Sequence, residues 1–187
     1  MLVKRALPQG IDVSNFQGTQ ATEGTTFIDP NFSSNYVGAK NAGVIRGAYH
    51  FANPDTSSGA VQADFFLAHG GEWSGDGITL PGALDLDLEG TCYGLTAAQM
   101  VAWIDELSNT YHSATASSEH LIAFTDVWAS CTGNSTAFSS HPLWIVHWAT
   151  TIGTLPTSWG NTTFWQYAAI GPVPGDQDRF NGDVARL

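Results

Sequence analysis

Two spacings of apolar residues alternate along the chain. Phe32, Tyr36 and Ala39 recur at intervals of three and four, which puts them on one face of a helix over 31–42. Asp29 is placed to cap it, Pro30 suits its first turn, and Gly43 stops it. A second helix is expected from Ser57 or Ser58 to 69, with Val61, Phe65 and Ala68 facing inward and Gly70-Gly71 closing it. The longest helix follows Thr96, a good N-cap residue, and carries Met100, Ile104, Leu107 and Tyr111 on one stripe. Short apolar runs bounded by turn residues read as strands at 11–14, 44–51, 83–89, 121–125, 143–148 and 163–168.

Over the first two thirds of the chain strands alternate with helices, the arrangement that builds parallel β/α units. The later strands are separated only by loops rich in Gly, Ser, Thr and Pro. With 187 residues the chain falls short of the ~200 to 250 of eight full units. The predicted fold class is therefore α/β: a single domain forming an irregular, incomplete β/α (TIM-like) barrel.

Charge narrows the choice of partners. Seventeen acids against six bases leave a formal charge of −11. Six scattered bases cannot make the footprint that holds a phosphate backbone, so no nucleic-acid partner is expected. A 43% hydrophobic and 12% aromatic content excludes a disordered chain. No apolar run approaches the ~20 residues that cross a bilayer, which points to a soluble protein with no membrane partner. Residues 1–8 lack the apolar centre of a signal peptide. Lys4-Arg5 is either the scar of a dibasic cleavage or a pair of solvated terminal charges. Residues 1–9 thus read as an N-terminal extension or propeptide remnant, and 10–187 as the domain. Two cysteines, Cys92 and Cys131, allow a disulfide without defining a framework. If paired, their loop of about 40 residues would contribute roughly 3 to 4 kcal/mol and favour an oxidising, extracellular setting.

The candidate chemistry centres on one strand. In Ala83-Leu-Asp-Leu-Asp-Leu-Glu-Gly the residues alternate strictly, so Asp85, Asp87 and Glu89 share one face while Leu84, Leu86 and Leu88 share the other. Three adjacent carboxylates are a solvated edge face, a hard-cation site, or an acid-catalysis site. Crowding that raises one pKa leaves a protonated acid beside an ionised neighbour, the pair that glycoside hydrolysis uses. Asp12 ends the first strand and Asp176 lies just beyond the last; each reads as a turn former or as a further site acid. Tyr49, Trp144, Trp148, Trp165 and Tyr167 fall on predicted strands and serve either the core or sugar stacking. No HExxH or HxH pair, GxSxG elbow, P-loop or GxGxxG fingerprint occurs, and neither cysteine has the context of a nucleophile.

Several segments stand in order along nearly the whole chain: Gly10-Ile-Asp-Val-Ser-Asn-Phe-Gln-Gly, Ala21-Thr-Glu-Gly-Thr-Thr, Arg46-Gly-Ala-Tyr-His-Phe-Ala, Gly75-Asp-Gly-Ile-Thr-Leu-Pro-Gly-Ala-Leu-Asp, Thr91-Cys-Tyr-Gly-Leu, Cys131-Thr-Gly-Asn, Pro142-Leu-Trp-Ile, Phe164-Trp-Gln-Tyr-Ala and Gly175-Asp-Gln-Asp-Arg-Phe-Asn-Gly. Together they resemble glycoside hydrolase family 25, the Chalaropsis-type lysozymes. The resemblance is to the secreted fungal and actinomycete branch and implies a Cys92–Cys131 disulfide. It also implies retaining, substrate-assisted hydrolysis of the β-1,4 bond between N-acetylmuramic acid and N-acetylglucosamine in bacterial peptidoglycan. No metal or cofactor is implied, and a secreted monomer is expected. The family's acid is the Glu of an Asp-x-Glu strand motif. Here the motif fits as Asp87-Leu-Glu89, with Glu89 the acid, or as Asp85-Leu-Asp87, with Asp87 in its place; the longer side chain favours Glu89. Asp12 and Asp176 become flanking acids, and Tyr49, Trp148, Trp165 and Tyr167 the sugar contacts. In one respect the chain departs from the family: only three residues separate Gln17 from Ala21, where the family has a helix and a strand. A parallel crossover needs a dozen or more residues, so the first β/α crossover is missing. The 121–128 segment is also short. The alternative reading is a catalytically impaired peptidoglycan-binding protein of the same fold.

Overall fold

The computed structural model describes residues 8–12, 20–86, 91–115, 121–124 and 128–183. In chain order the elements are β1 (Gln9–Asp12), β2 (Gln20–Glu23), β3 (Phe27–Ile28), α1 (Phe32–Asn41), β4 (Tyr49–Phe51), α2 (Gly59–Ala68) and β5 (Ala83–Leu86). Then follow α3 (Ala97–Thr115), β6 (Leu121–Phe124), α4 (Trp128–Thr132), β7 (Leu143–Val146), β8 (Phe164–Ala168) and β9 (Asp176–Phe180). The strands form one sheet in the order β1-β9-β8-β7-β6-β5-β4-β2-β3. From β2 and β4 through β8 neighbours run parallel, while β9 is antiparallel to both β8 and β1, and β3 to β2. β1 and β3 end the sheet, and among the described residues they do not pair with each other.

Local chemistry sets the helices. At the start of α3, Thr96 and Gln99 form a capping box: Gln99 Oε1 accepts from the Thr96 N–H at 2.9 Å, and Thr96 Oγ1 from the Gln99 N–H at 3.4 Å. The predicted stripe Met100, Ile104, Leu107 and Tyr111 is buried, joined by Trp103. In α1 the predicted face holds, with Phe32 buried and Tyr36 packed beside it. Asp29 Oδ1 accepts from the Asn31 N–H at 2.7 Å, just ahead of the helix. Ser58 caps α2 through the Val61 N–H. The inner face of α2 is not the expected one: Gly59, Gln62, Ala63 and Phe66 are buried, while Val61 is 51% exposed. Gln62 turns inward because its amide is fully engaged, bonding His50, Asn53 and Ser57. Gly59 lets α2 meet α3 closely, since a Cβ there would lie 2.1 Å from the Trp103 carbonyl.

Three strand expectations change. β4 begins at Tyr49 rather than 44; Val44 is exposed and Arg46 makes only an isolated bridge to Thr79. β7 stops at Val146, leaving Trp148 beyond it. Asp176 does not follow the last strand but opens β9, whose partners lie on both sides of it.

The helices pack on one face of the sheet. Leu84 and Leu86 of β5, Leu143 and Ile145 of β7 and Trp165 of β8 form the main core with Met100, Trp103, Ile104 and Leu107 of α3 and Trp128 and Cys131 of α4. A disulfide joins Cys92 to Cys131 with Cα atoms 5.2 Å apart, tying the turn after β5 to α4. The opposite face turns in on itself. Tyr49 on β4 responds to the charges of Asp12 and Asp176 on β1 and β9. Those strands lie six and five positions away, respectively, in the sheet order, a distance of about 24 to 29 Å in a flat sheet. The sheet must therefore curl strongly to bring its two sides together.

Candidate active site

The inward face gathers the acids through strand register. Asp12 pairs with Asp176 and Gly10 with Asp178 between β1 and β9, and Asp178 pairs with Gln166 of β8. Alternation then sends Asp12, Asp176, Asp178 and Gln166 to the same side. Asp85 lies opposite the Leu84 and Leu86 side chains, half-buried on that side. Tyr49, Ala83, Trp144 and Phe164 floor it with a small apolar cluster.

Hydrogen bonds connect these groups. Buried Asp12 accepts from Gln166 Nε2 at 2.8 Å, and Gln166 Oε1 accepts from Trp148 Nε1 at 2.8 Å. Asp178 Oδ1 accepts from Trp144 Nε1, also at 2.8 Å. The protonation states follow from burial. Burial, then the nearby Asp12 charge, pushes Asp178 up to about 9. Burial also raises Asp12, but hydrogen bonds from Asp178 and Gln166 oppose the rise, so the proton of this pair rests on Asp178. Asp176 is pushed up to about 6, first by burial and then by Asp12. The Tyr49 phenol is raised by burial and by Asp12, Asp85 and Asp176, in that order, and stays neutral. One proton held between two buried carboxyls keeps a hydrogen-bond donor beside an acceptor on this face at neutral pH.

Of the residues singled out from sequence, Asp12, Asp85, Asp176 and Tyr49 are brought to this face. Trp148 lies at its rim, 62% exposed. Trp165 and Tyr167 lie on the other side: Trp165 is buried in the helix-side core, and the Arg179 guanidinium stacks over both rings, 5.3 and 4.2 Å from their centroids. Asp87 and Glu89 lie outside the described residues. Among the described residues, no group of three or more His, Cys, Asp or Glu is placed to hold a metal ion, and no helix is long and apolar enough to cross a membrane. A separate open groove of about 390 Å³ lies on the helix side, lined by Ser57, Leu95, Gln99, Trp103 and Glu106 among others, away from the acids. His50, buried between Thr22 and Gln62 and lowered by burial to about 4, is a neutral structural link.

The sequence profile of glycosyl hydrolases family 25 matches residues 8–176. The chain belongs to this family. As a family 25 member it is a glycoside hydrolase, and its similarity to characterised relatives spans almost its full length. It is 44% identical to the N,O-diacetylmuramidase of Chalaropsis sp, covering 96% of each chain. Its fold matches the muramidase of Acremonium alcalophilum with a TM-score of 0.92 at 46% identity, over 97% of this chain and 96% of that one. The bacterial lysozyme of Streptomyces coelicolor gives a TM-score of 0.92 at 41% identity, over 99% and 96%. The Chalaropsis alignment runs over 203 positions, more than the 187 residues of this family 25 chain, so the relative fills positions that this chain lacks.

Two residues of the family 25 acid face escaped the sequence reading. Asp178 carries the same i, i+2 alternation with Asp176 that marked Asp85 and Asp87, but Pro174-Gly-Asp suggested a loop. Gln166 is a lone amide inside an aromatic strand, a position where a buried polar group needs partners on both ends.

Proposed function

We propose that this protein is a secreted muramidase that cleaves the β-1,4 bond between N-acetylmuramic acid and N-acetylglucosamine in bacterial peptidoglycan. The observation that carries this reading is the cluster of buried, proton-sharing acids on the curled face of a family 25 fold. The names of the relatives, muramidase and lysozyme, support the same substrate. In the proposed mechanism Glu89 protonates the leaving glycosidic oxygen. The substrate's own acetamido oxygen attacks the anomeric carbon, oriented by Asp87. Water then opens the cyclic intermediate, giving its proton back to Glu89, so configuration is retained and no cofactor is consumed. Asp85, Asp12 and Asp176 set the field and orient the sugar, and Tyr49 and the Trp148 ring offer surfaces for it.

The domain is best read as an incomplete β/α barrel. The sheet ending at β1 and β3, the three residues between Gln17 and Ala21, and the longer aligned length of the Chalaropsis relative all support loss of the first crossover. The disulfide supports an extracellular setting. A peptidoglycan suspension should clear with release of reducing muramic-acid ends; no release at any pH between about 3 and 8 sinks the hydrolytic reading. The missing crossover favours a second reading, a wall-binding protein without turnover, which predicts pull-down with peptidoglycan and no new reducing ends.

A further inference from the structure

We propose that Asp178 and Gln166 form a two-donor clamp on the Asp12 carboxylate, with Trp144 and Trp148 fixing the outer ends, so that the rim indole of Trp148 is a positioning residue linked to the acid cluster. The Asp12 carboxylate sits between the Gln166 amide on β8 and the Asp178 carboxyl on β9. Each clamp arm is itself held. Gln166 accepts from Trp148 Nε1 at one end of its amide and donates to Asp12 from the other. An amide so engaged cannot flip without breaking both bonds. Asp178 accepts from Trp144 Nε1 on Oδ1, and no N–H or hydroxyl among the described residues reaches its buried Oδ2. A proton on Asp178, donated toward Asp12, satisfies both carboxyls. The groups facing Asp178 are acids or neutral donors: Asp12 from β1, Asp176 on its own strand and Trp144 from β7. Its neighbour Arg179 stacks over Trp165 and Tyr167, on the far face, and so does not neutralise it. Burial among these groups agrees with an Asp178 that stays protonated at neutral pH.

Asp178 thus works as a neutral hydrogen-bond donor, a role an amide can imitate. Trp148 has two separable parts: an exposed ring and an N–H that orders Gln166. A saccharide laid on the ring would hold the indole still and, through Gln166, hold Asp12.

The test rests on the muramidase reading for its kinetic arm only. With peptidoglycan fragments as substrate, Asp178→Ala should lower kcat by about tenfold to hundredfold with little change in KM. Asp178→Asn should recover most of that loss, because its amide donates to Asp12 while its oxygen still accepts from Trp144. Trp148→Phe, which keeps a ring and loses the N–H, should lower kcat by about threefold to tenfold rather than raise KM. The second arm needs no activity: carboxyl ¹³C titration of the wild-type protein should show Asp178 protonated at neutral pH while Asp12 is ionised. An Asp178→Asn variant as damaged as Asp178→Ala, an Asp178 carboxyl ionising in the ordinary range, or a Trp148→Phe variant altered only in KM would overturn the clamp. If the wild-type protein releases no reducing ends, the muramidase reading falls, and the titration alone decides the clamp.

Discussion

The two faces of the sheet follow opposite rules. On the helix side Leu84, Leu86, Leu143 and Ile145 bury apolar surface against α3 and α4, and the disulfide joins that layer covalently. On the inward side Asp12, Asp176 and Asp178 are brought within reach of one another at a cost in ionisation, and hydrogen bonds from Trp144 and Gln166 offset part of that cost. One strand serves both: β5 sends leucines to the stabilising face and Asp85 to the acid face. Stability and chemistry are thereby separated by the pleat of a strand, and a substitution can be aimed at either.

The largest stability effect should come from the helix side. Replacing Cys92 and Cys131 together with alanine frees a loop of 39 residues, and denaturant unfolding should show a loss of about 4 kcal/mol. A change below about 1 kcal/mol would mean that the bridge adds little to this layer. Leu84→Ala empties a fully buried site; the midpoint should fall by an amount corresponding to about 2 to 5 kcal/mol. Its rate per folded molecule should hold, and a specific loss of turnover would show that the faces are coupled through β5.

The subtlest effect is the pH dependence of stability, where the acid face supplies one sign and His50 the other. Asp178 and Asp176 take up protons more readily when folded, at about 9 and about 6. Their contributions are therefore full below the unfolded carboxylate value of about 4 and are lost as pH rises through the folded values. His50, lowered to about 4, contributes above its unfolded value of about 6.5 and loses that contribution as pH falls through 4. Between about 6.5 and 9 only the Asp178 slope remains of these three. The Tm should decline across that window in wild type and stay level in Asp178→Asn; equal declines in both would place the slope elsewhere.

Local patterns foretold part of this arrangement. The stripe and cap of α3 are written in a short segment and are observed, and of the alternation expected over 83–89 the described part, Leu84 and Leu86 opposite Asp85, is observed. The face of α2 was not readable because Val61, Phe65 and Phe66 are apolar on several sides, and the decision falls to Gln62, whose partners lie on β4 and the following loop. β9 was hidden for a different reason. Asp176-Gln-Asp-Arg reads as a polar turn, and the strand exists because β1, more than 160 positions earlier in the sequence, closes on its free edge. The meeting of Asp12 with Asp178 depends on that same long-range pairing. Trp165 and Tyr167 show the converse limit: aromatic identity alone does not tell which face a strand residue takes, and Arg179 marks theirs as the far one.

The most direct measurement is the rate of reducing-end release from peptidoglycan by wild type, Glu89→Gln and Asp87→Asn, with folding of each checked by thermal melting. Wild type should be active, and Glu89→Gln should lower kcat by about 10² to 10⁴-fold at unchanged Tm. Asp87→Asn should lose less. Full activity in Glu89→Gln, with Asp87→Asn inactive, would move the acid to Asp87, and full activity in both would contradict the acid strand as the seat of catalysis.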